Sequence, residues 1–188
     1  FFDMRLCTVE PNVITYSATI SSCEKGARWH EALDVFSDML LRRLEPNVIT
    51  YSAAISACGK AARWHEALGV FSDMLLRRLE PNVITYGAAI NACGKAARWH
   101  EALGVFLDML LRRLEPDVIS YNTAIRSYVD DARWREALGV FSDMLLRRLE
   151  PNVIAYNAAI SACGKAARWH EALGVFLDML LRRLEPNV

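Results

Sequence analysis

The chain has 188 residues, 53% hydrophobic and 23% charged, with 22 Lys+Arg balanced against 22 Asp+Glu. That composition excludes a disordered segment and a strongly basic surface that would hold any polyanion by net charge alone. Ser, Asp or Arg interrupts every apolar stretch well short of the roughly 18 residues that a membrane helix needs, so no membrane partner is expected.

In chain order, residues 1–12 (FFDMRLCTVEPN) align with the close of a later segment, VFSDMLLRRLEPN, and read as the C-terminal part of a preceding truncated repeat. Five tandem units of 35 residues follow, at 13–47, 48–82, 83–117, 118–152 and 153–187, and Val188 is the first residue of a further truncated repeat. A fixed period of this length points to a solenoid. In the second unit Val48, Tyr51, Ile55 and Cys58 recur at steps of three and four, one apolar face of a helix. Gly59-Lys60-Ala61-Ala62-Arg63 reads as a short turn opened by glycine. Trp64, Ala67, Leu68, Phe71, Met74 and Leu75 carry the same rhythm into a second helix. Pro81 blocks its continuation, and Asn82 is placed to cap the helix that follows. Strand alternation is absent. One such hairpin cannot bury its stripe alone, so neighbours must stack. The fold expected is all-α: a right-handed α-solenoid superhelix of helix–turn–helix repeats, with a concave and a convex face. Apolar surface at the two cut ends predicts end-to-end self-association of the fragment.

Cys23, Cys58, Cys93 and Cys163 share one repeat position and Cys7 lies in the leading stub, without the close ligand spacing of a metal site. They read as reduced structural thiols. His30, His65, His100 and His170 each neighbour a Glu but lack a helical partner, and read as surface residues. No nucleophile–base pair or phosphate-binding glycine loop is present, so neither enzyme activity nor a cofactor is expected. The tryptophans Trp29, Trp64, Trp99, Trp134 and Trp169 begin the second helices and read as packing residues rather than a base-stacking platform.

The constant length, the V-I-T-Y opening, the Met of F-S-D-M and the L-E-P-N ending resemble pentatricopeptide repeats of the 35-residue type, over 13–187 and as half a repeat over 1–12. Tetratricopeptide repeats would accept Ala67 and Phe71 but are one residue shorter. The Trp of A-R-W-H and the L-L-R-R run depart from the common pentatricopeptide pattern, both outside the first helix. The resemblance implies single-stranded RNA as partner, read at one base per repeat by side chains of the first helices. It implies base-selecting pairs Ser17 with Asn47, Ser52 with Asn82, Gly87 with Asp117, Asn122 with Asn152, and Asn157 with Asn187. Ile14, Ile49, Ile84, Ile119 and Ile154 would sandwich the bases, and Lys25, Lys60, Lys95 and Lys165 would contact phosphates. It further implies action in a mitochondrion or plastid, on RNA stability, processing or translation.

The units themselves vary along a related stripe. The second and third differ at four places, among them Ser52 against Gly87, Asn82 against Asp117 and Ser56 against Asn91. The fourth unit adds Arg126 on the same face, although Ser/Leu variation at 72, 107 and 177 falls elsewhere. An Asp carboxylate only accepts and suits the ring N–H of guanine or uracil, whereas an Asn amide can serve the bare ring nitrogen of adenine or cytosine. Ser or Gly after the tyrosine leaves room for a purine, and Asn favours a pyrimidine. With the family pattern these rules predict A-A-G-C/U-C/U, 5′ to 3′ along the chain. About four lysine contacts predict a salt slope near −3, at roughly −0.7 per phosphate. Asp130 and Asp131 stand at the phosphate-contacting end of the fourth unit, which should grip the backbone poorly. Other readings stay open at this level. The Asn after Pro could be only a helix cap, the isoleucines core, and the lysines a solvated helix end. The array as a whole could be a protein–protein interaction scaffold of tetratricopeptide type, or a designed or recently duplicated array without a tight ligand.

Overall fold

The computed structural model describes residues 10–182, which form ten helices and no strand. The first helices of the units are α1 (Val13–Lys25), α3 (Val48–Lys60), α5 (Val83–Lys95), α7 (Val118–Ser127) and α9 (Val153–Lys165). The second helices are α2 (Trp29–Leu41), α4 (Trp64–Leu76), α6 (Trp99–Leu111), α8 (Trp134–Leu146) and α10 (Trp169–Leu181). None is long and apolar enough to cross a membrane.

Each first helix is capped by the residue after proline. Asn12, Asn47, Asn82, Asp117 and Asn152 hold extended backbone, and each side chain accepts the backbone N–H three residues on, at 2.8–3.1 Å. That bond satisfies one of the orphan donors of the first turn. The second helices start at an Arg without such a cap. Their first turn instead carries Glu31, Glu66, Glu101, Glu136 or Glu171, ion-paired with that Arg at the positive end of the helix dipole.

All five first helices, and the second helices of the first four units, end in a left-handed residue that is not glycine. Ala27, Ala62, Ala97, Ala132 and Ala167 follow the first helices, and Arg43, Arg78, Arg113 and Arg148 the second, with φ between 53° and 59°. Bonds such as Arg28 N–H to the Cys23 carbonyl (2.8 Å) and Leu44 N–H to the Met39 carbonyl (3.1 Å) close these ends. The glycine expected to open the turn does something else. Gly59 lies buried inside α3, where a Cβ would stand 3.3 Å from the Ala88 carbonyl oxygen and from the Ala92 Cβ of the next unit. Its lack of a side chain lets successive first helices approach; the turn itself is made by Ala62.

Successive first helices pack directly on one another, α1 to α3 to α5 to α7 to α9. Each second helix packs on its own first helix, and α2, α4, α6 and α8 also on the first helix of the next unit, while the backbones of successive second helices stay farther apart. The first helices therefore form the tighter, inner layer of a curved solenoid. Tyr51, Tyr86, Tyr121 and Tyr156 are fully buried between the layers, each meeting the preceding unit's Phe edge-on at 5.0–5.3 Å. The tyrosine hydroxyl donates to an Asp of its own second helix: Tyr51 to Asp73 at 2.5 Å, Tyr156 to Asp178 at 2.6 Å, and likewise Tyr16 to Asp38, Tyr86 to Asp108 and Tyr121 to Asp143. The same carboxylates accept from Arg42, Arg77, Arg112, Arg147 and Arg182 at 2.9–3.0 Å. Burial, and then the bond to Asp, pushes the tyrosine pKa above its ordinary value, so the phenol stays a donor.

The tryptophans join units. The Arg63, Arg98 and Arg168 guanidiniums lie 4.4–4.8 Å over the Trp29, Trp64 and Trp134 rings of the unit before. At Trp99 the partner is Arg126, at 5.1 Å, because Arg133 lies over Tyr128 instead. Tyr128 belongs to the one irregular unit, whose α7 stops at Ser127. Val129 there occupies the close-approach glycine position, and Asp130 puts a negative charge where the other units place Lys at the negative helix end. The Asp130 charge disfavours the last turn.

Cys58, Cys93 and Cys163 are buried, Cys23 is half-buried, and all four are free thiols. Burial pushes Cys58 and Cys93 up to about 11, which keeps them protonated and inert. Cys7 lies outside the described residues.

Candidate nucleic-acid interface

The inner layer separates two rows of isoleucine six residues apart. Ile20, Ile55, Ile90 and Ile125 are 0% exposed and belong to the core. Ile14, Ile49, Ile84, Ile119 and Ile154 are 77%, 67%, 70%, 59% and 51% exposed and do not. An apolar row left in water at every repeat has no packing role in the chain, which removes the core reading for these five.

Beside it stand the proposed selector residues. Ser17, Ser52 and Gly87 are half-buried, Asn122 is buried and Asn157 exposed, while Asn47, Asn82, Asp117 and Asn152 are exposed. Asn187 lies outside the described residues, so the fifth pair is described only through Asn157. The cap and the selector role turn out to be compatible. In Asn47, Asn82 and Asn152 the cap engages Oδ1, and the Nδ2 donors have no protein partner. In Asp117 the cap engages Oδ1 and leaves Oδ2. Helix capping thus fixes the head group and leaves N–H donors outward from Asn, but a bare acceptor outward from Asp.

The two members of a selector pair are joined through a residue that the sequence reading did not single out, the third of the following unit. Ser52 Oγ lies 2.7 Å from Thr85 Oγ1, and Thr85 Oγ1 donates to Asn82 Oδ1 at 3.0 Å. At the first junction Thr50 Oγ1 likewise donates to Asn47 Oδ1 at 3.0 Å and lies 2.6 Å from Ser17 Oγ, whose one proton has the Val13 carbonyl as a second acceptor at 2.8 Å. At the next junction Gly87 supplies no hydroxyl, Ser120 replaces Thr, and Ser120 Oγ is buried without a partner. At the fourth, Ala155 replaces Thr and the Asn122 Nδ2 itself donates to Asn152 Oδ1 at 3.2 Å. The signal was present as paired variation: Ser with Thr, Ser with Thr, Gly with Ser, Asn with Ala.

The lysines divide. Lys60 Nζ meets the Glu24 carboxylate at 2.8 Å and its carbonyl at 3.0 Å, and Lys165 Nζ meets Asp130 at 2.6 Å. Lys25 and Lys95 make no ion pair. Burial works against the Glu24 charge, but hydrogen bonds from Lys60 and Ser56 hold it below the usual carboxylate range. Between the fourth and fifth units an open cavity of 330 Å³ is bordered by Trp99, Arg126, Asp130, Ile154, Asn157 and Ser161. One tryptophan, expected as packing only, therefore also borders the groove.

The PPR repeat family matches residues 11–60, 46–95 and 116–165, and its single-repeat form matches 84–114 and 154–184. Among curated protein sequences none matches the chain. Among solved structures, the pentatricopeptide repeat protein PPR10 from maize is 30% identical, with a TM-score of 0.67 over 98% of this chain and 26% of its own. The same protein in complex with an 18-nt psaJ RNA element aligns at 22% identity and TM-score 0.66, over 97% of this chain and 30% of its own. The PPR domain of Arabidopsis thaliana protein-only RNase P 1, in complex with tRNA, aligns at 14% identity and TM-score 0.81, over 90% of both chains. The chain spans about a quarter of the length of the maize protein, at 26%. With five 35-residue units, the V-I-T-Y helix starts and a family match running almost end to end, the chain belongs to the PPR repeat family.

Proposed function

We propose that this chain binds single-stranded RNA along its inner layer, one base per repeat, without catalysing a reaction on it. The observation that carries the reading is the recurring pair of an exposed isoleucine and a capped Asn or Asp whose second head atom points away from the cap. Isoleucines of adjacent units offer apolar faces to a flat base. Outward Asn N–H groups suit the bare ring nitrogen of adenine or cytosine, and the outward Asp117 oxygen suits the ring N–H of guanine or uracil. Space after the tyrosine then separates purine from pyrimidine, giving A-A-G-C/U-C/U from N to C. RNA is the ligand of the maize and Arabidopsis relatives, which supports the polymer class. A groove of amides, hydroxyls and lysines also argues against the protein-scaffold reading. By family resemblance we assign the chain to RNA processing, stability or translation in a mitochondrion or plastid.

Titration of an oligomer containing AAGCC against a scrambled one at fixed low salt tests the reading. A tighter Kd for AAGCC is expected, with about 10-fold lost for each mismatched purine, the order that a base-edge hydrogen-bond pair carries. Equal affinity for the two oligomers would remove the base assignments, and binding to neither would remove RNA as the ligand.

A further inference from the structure

We infer that each base is read by three residues rather than two, and that the third residue of the following unit (Thr50, Thr85, Ser120 or Ala155) is the positioning member. The inference rests on the RNA-binding reading above and deepens it.

Hydroxyl arithmetic gives the second junction a direction. Thr85 has one proton and gives it to Asn82 Oδ1. The 2.7 Å contact between Ser52 and Thr85 must then be donated by Ser52. The relay Ser52 O–H to Thr85 O–H to Asn82 Oδ1 turns the serine proton away from the groove. Ser52 is left with lone pairs to offer, and Asn82 with N–H donors. An acceptor beside a donor matches the exocyclic amino group and bare ring nitrogen of adenine, and mismatches the carbonyl and ring N–H of guanine. Thr85 is 0% exposed, so it touches no ligand and acts only through its two partners.

The other junctions follow the same rule by its exceptions. Where Gly87 has no hydroxyl to orient, the relay is missing and Ser120 Oγ is orphaned. Where Asn122 is long enough to reach Asn152 directly, the hydroxyl is replaced by the methyl of Ala155, which leaves Asn152 Oδ1 to Asn122. Four junctions carry three different solutions, and the third residue changes whenever its partner does.

The test uses Thr85→Val, which keeps the branched shape and removes the hydroxyl, and Thr85→Ser, which restores it. Kd is measured for oligomers carrying each of the four bases at the second letter, with the first letter varied as an internal control. The unsubstituted chain is expected to favour A over G at that letter. In Thr85→Val the Ser52 proton is released, G gains a donor for its carbonyl, and the A-over-G ratio falls about 10-fold, the order of one hydrogen bond. Thr85→Ser keeps the ratio, and preference at the first letter is unchanged in both variants. A purely structural role would lower affinity for all four bases alike and leave the ratio intact, which overturns the inference while RNA binding stands. A parent chain that binds all bases equally removes the base-reading function and this inference with it.

Discussion

At the scale of single residues, the tightest constraint lies where one first helix meets the next. A Cβ on Gly94 would stand 2.7 Å from the Thr123 Cγ2, whereas one on Gly164 would meet nothing within 4 Å. Two residues at the same repeat position therefore make opposite predictions. Gly94→Ala should destabilise the chain by about 1–3 kcal/mol through overpacking. Thr123→Ala in the same chain should recover most of that loss, and Gly164→Ala should be neutral or mildly stabilising through helix propensity. Urea denaturation of the four proteins checks it, and a Gly94→Ala loss that Thr123→Ala does not recover would refute the contact. None of this was legible in the sequence. Glycine between two helices reads locally as a turn residue, and only the stacking shows that the left-handed residue is Ala and the glycine a point of contact.

At the scale of the element, helix limits were readable because proline and the Asn after it act locally, on the residues beside them. The lock between the two helices of a unit was not, because Tyr86 and Asp108 lie 22 residues apart on different helices. No neighbouring residue announces a bond between them. It nonetheless accounts for three recurring letters at once: the tyrosine of V-I-T-Y, the aspartate of the D-M segment and the first arginine of L-L-R-R. Tyr86→Phe removes the hydroxyl and leaves Asp108 to Arg112 alone. A loss of about 1 kcal/mol is expected, the net worth of one hydrogen bond, read as a lower denaturation midpoint at unchanged m-value. An unchanged midpoint would mean the lock is dispensable. The selector stripe was legible in outline, since the pairs and the isoleucine row were named from resemblance and internal variation. Its third member was hidden by distance: Ser52 and Thr85 are 33 residues apart and meet only across a junction.

At the scale of the whole molecule, charge decides how strongly an RNA backbone is held. Counting all four recurrent lysines gives the salt slope near −3 expected from the sequence, at roughly −0.7 per phosphate. Lys60 and Lys165 are instead held by Glu24 and Asp130 of the units before them. Lys25 and Lys95 alone give a slope of about −1.4, two contacts at roughly −0.7 each. Glu24→Gln with Asp130→Asn should release the other two and steepen the dependence of log Kd on log salt toward the larger value. A slope near −3 in the unsubstituted chain would show that the ion pairs open on binding. The sequence showed the lysines but not their partners, because each partner sits a full repeat or more away.

Successive first helices pack backbone against backbone, whereas successive second helices meet through side chains such as Arg63 over Trp29, and this has a mechanical consequence. An array built this way is a spring with a stiffer inner edge and a looser outer one. Flattening or coiling it changes the gaps between second helices, while the inner edge serves as the pivot and keeps its length. The Ser–Thr–Asn relays lie on that pivot. The array can therefore bend to follow a strand while the pitch between neighbouring letters stays fixed, as a tape measure keeps its graduations when it is curved.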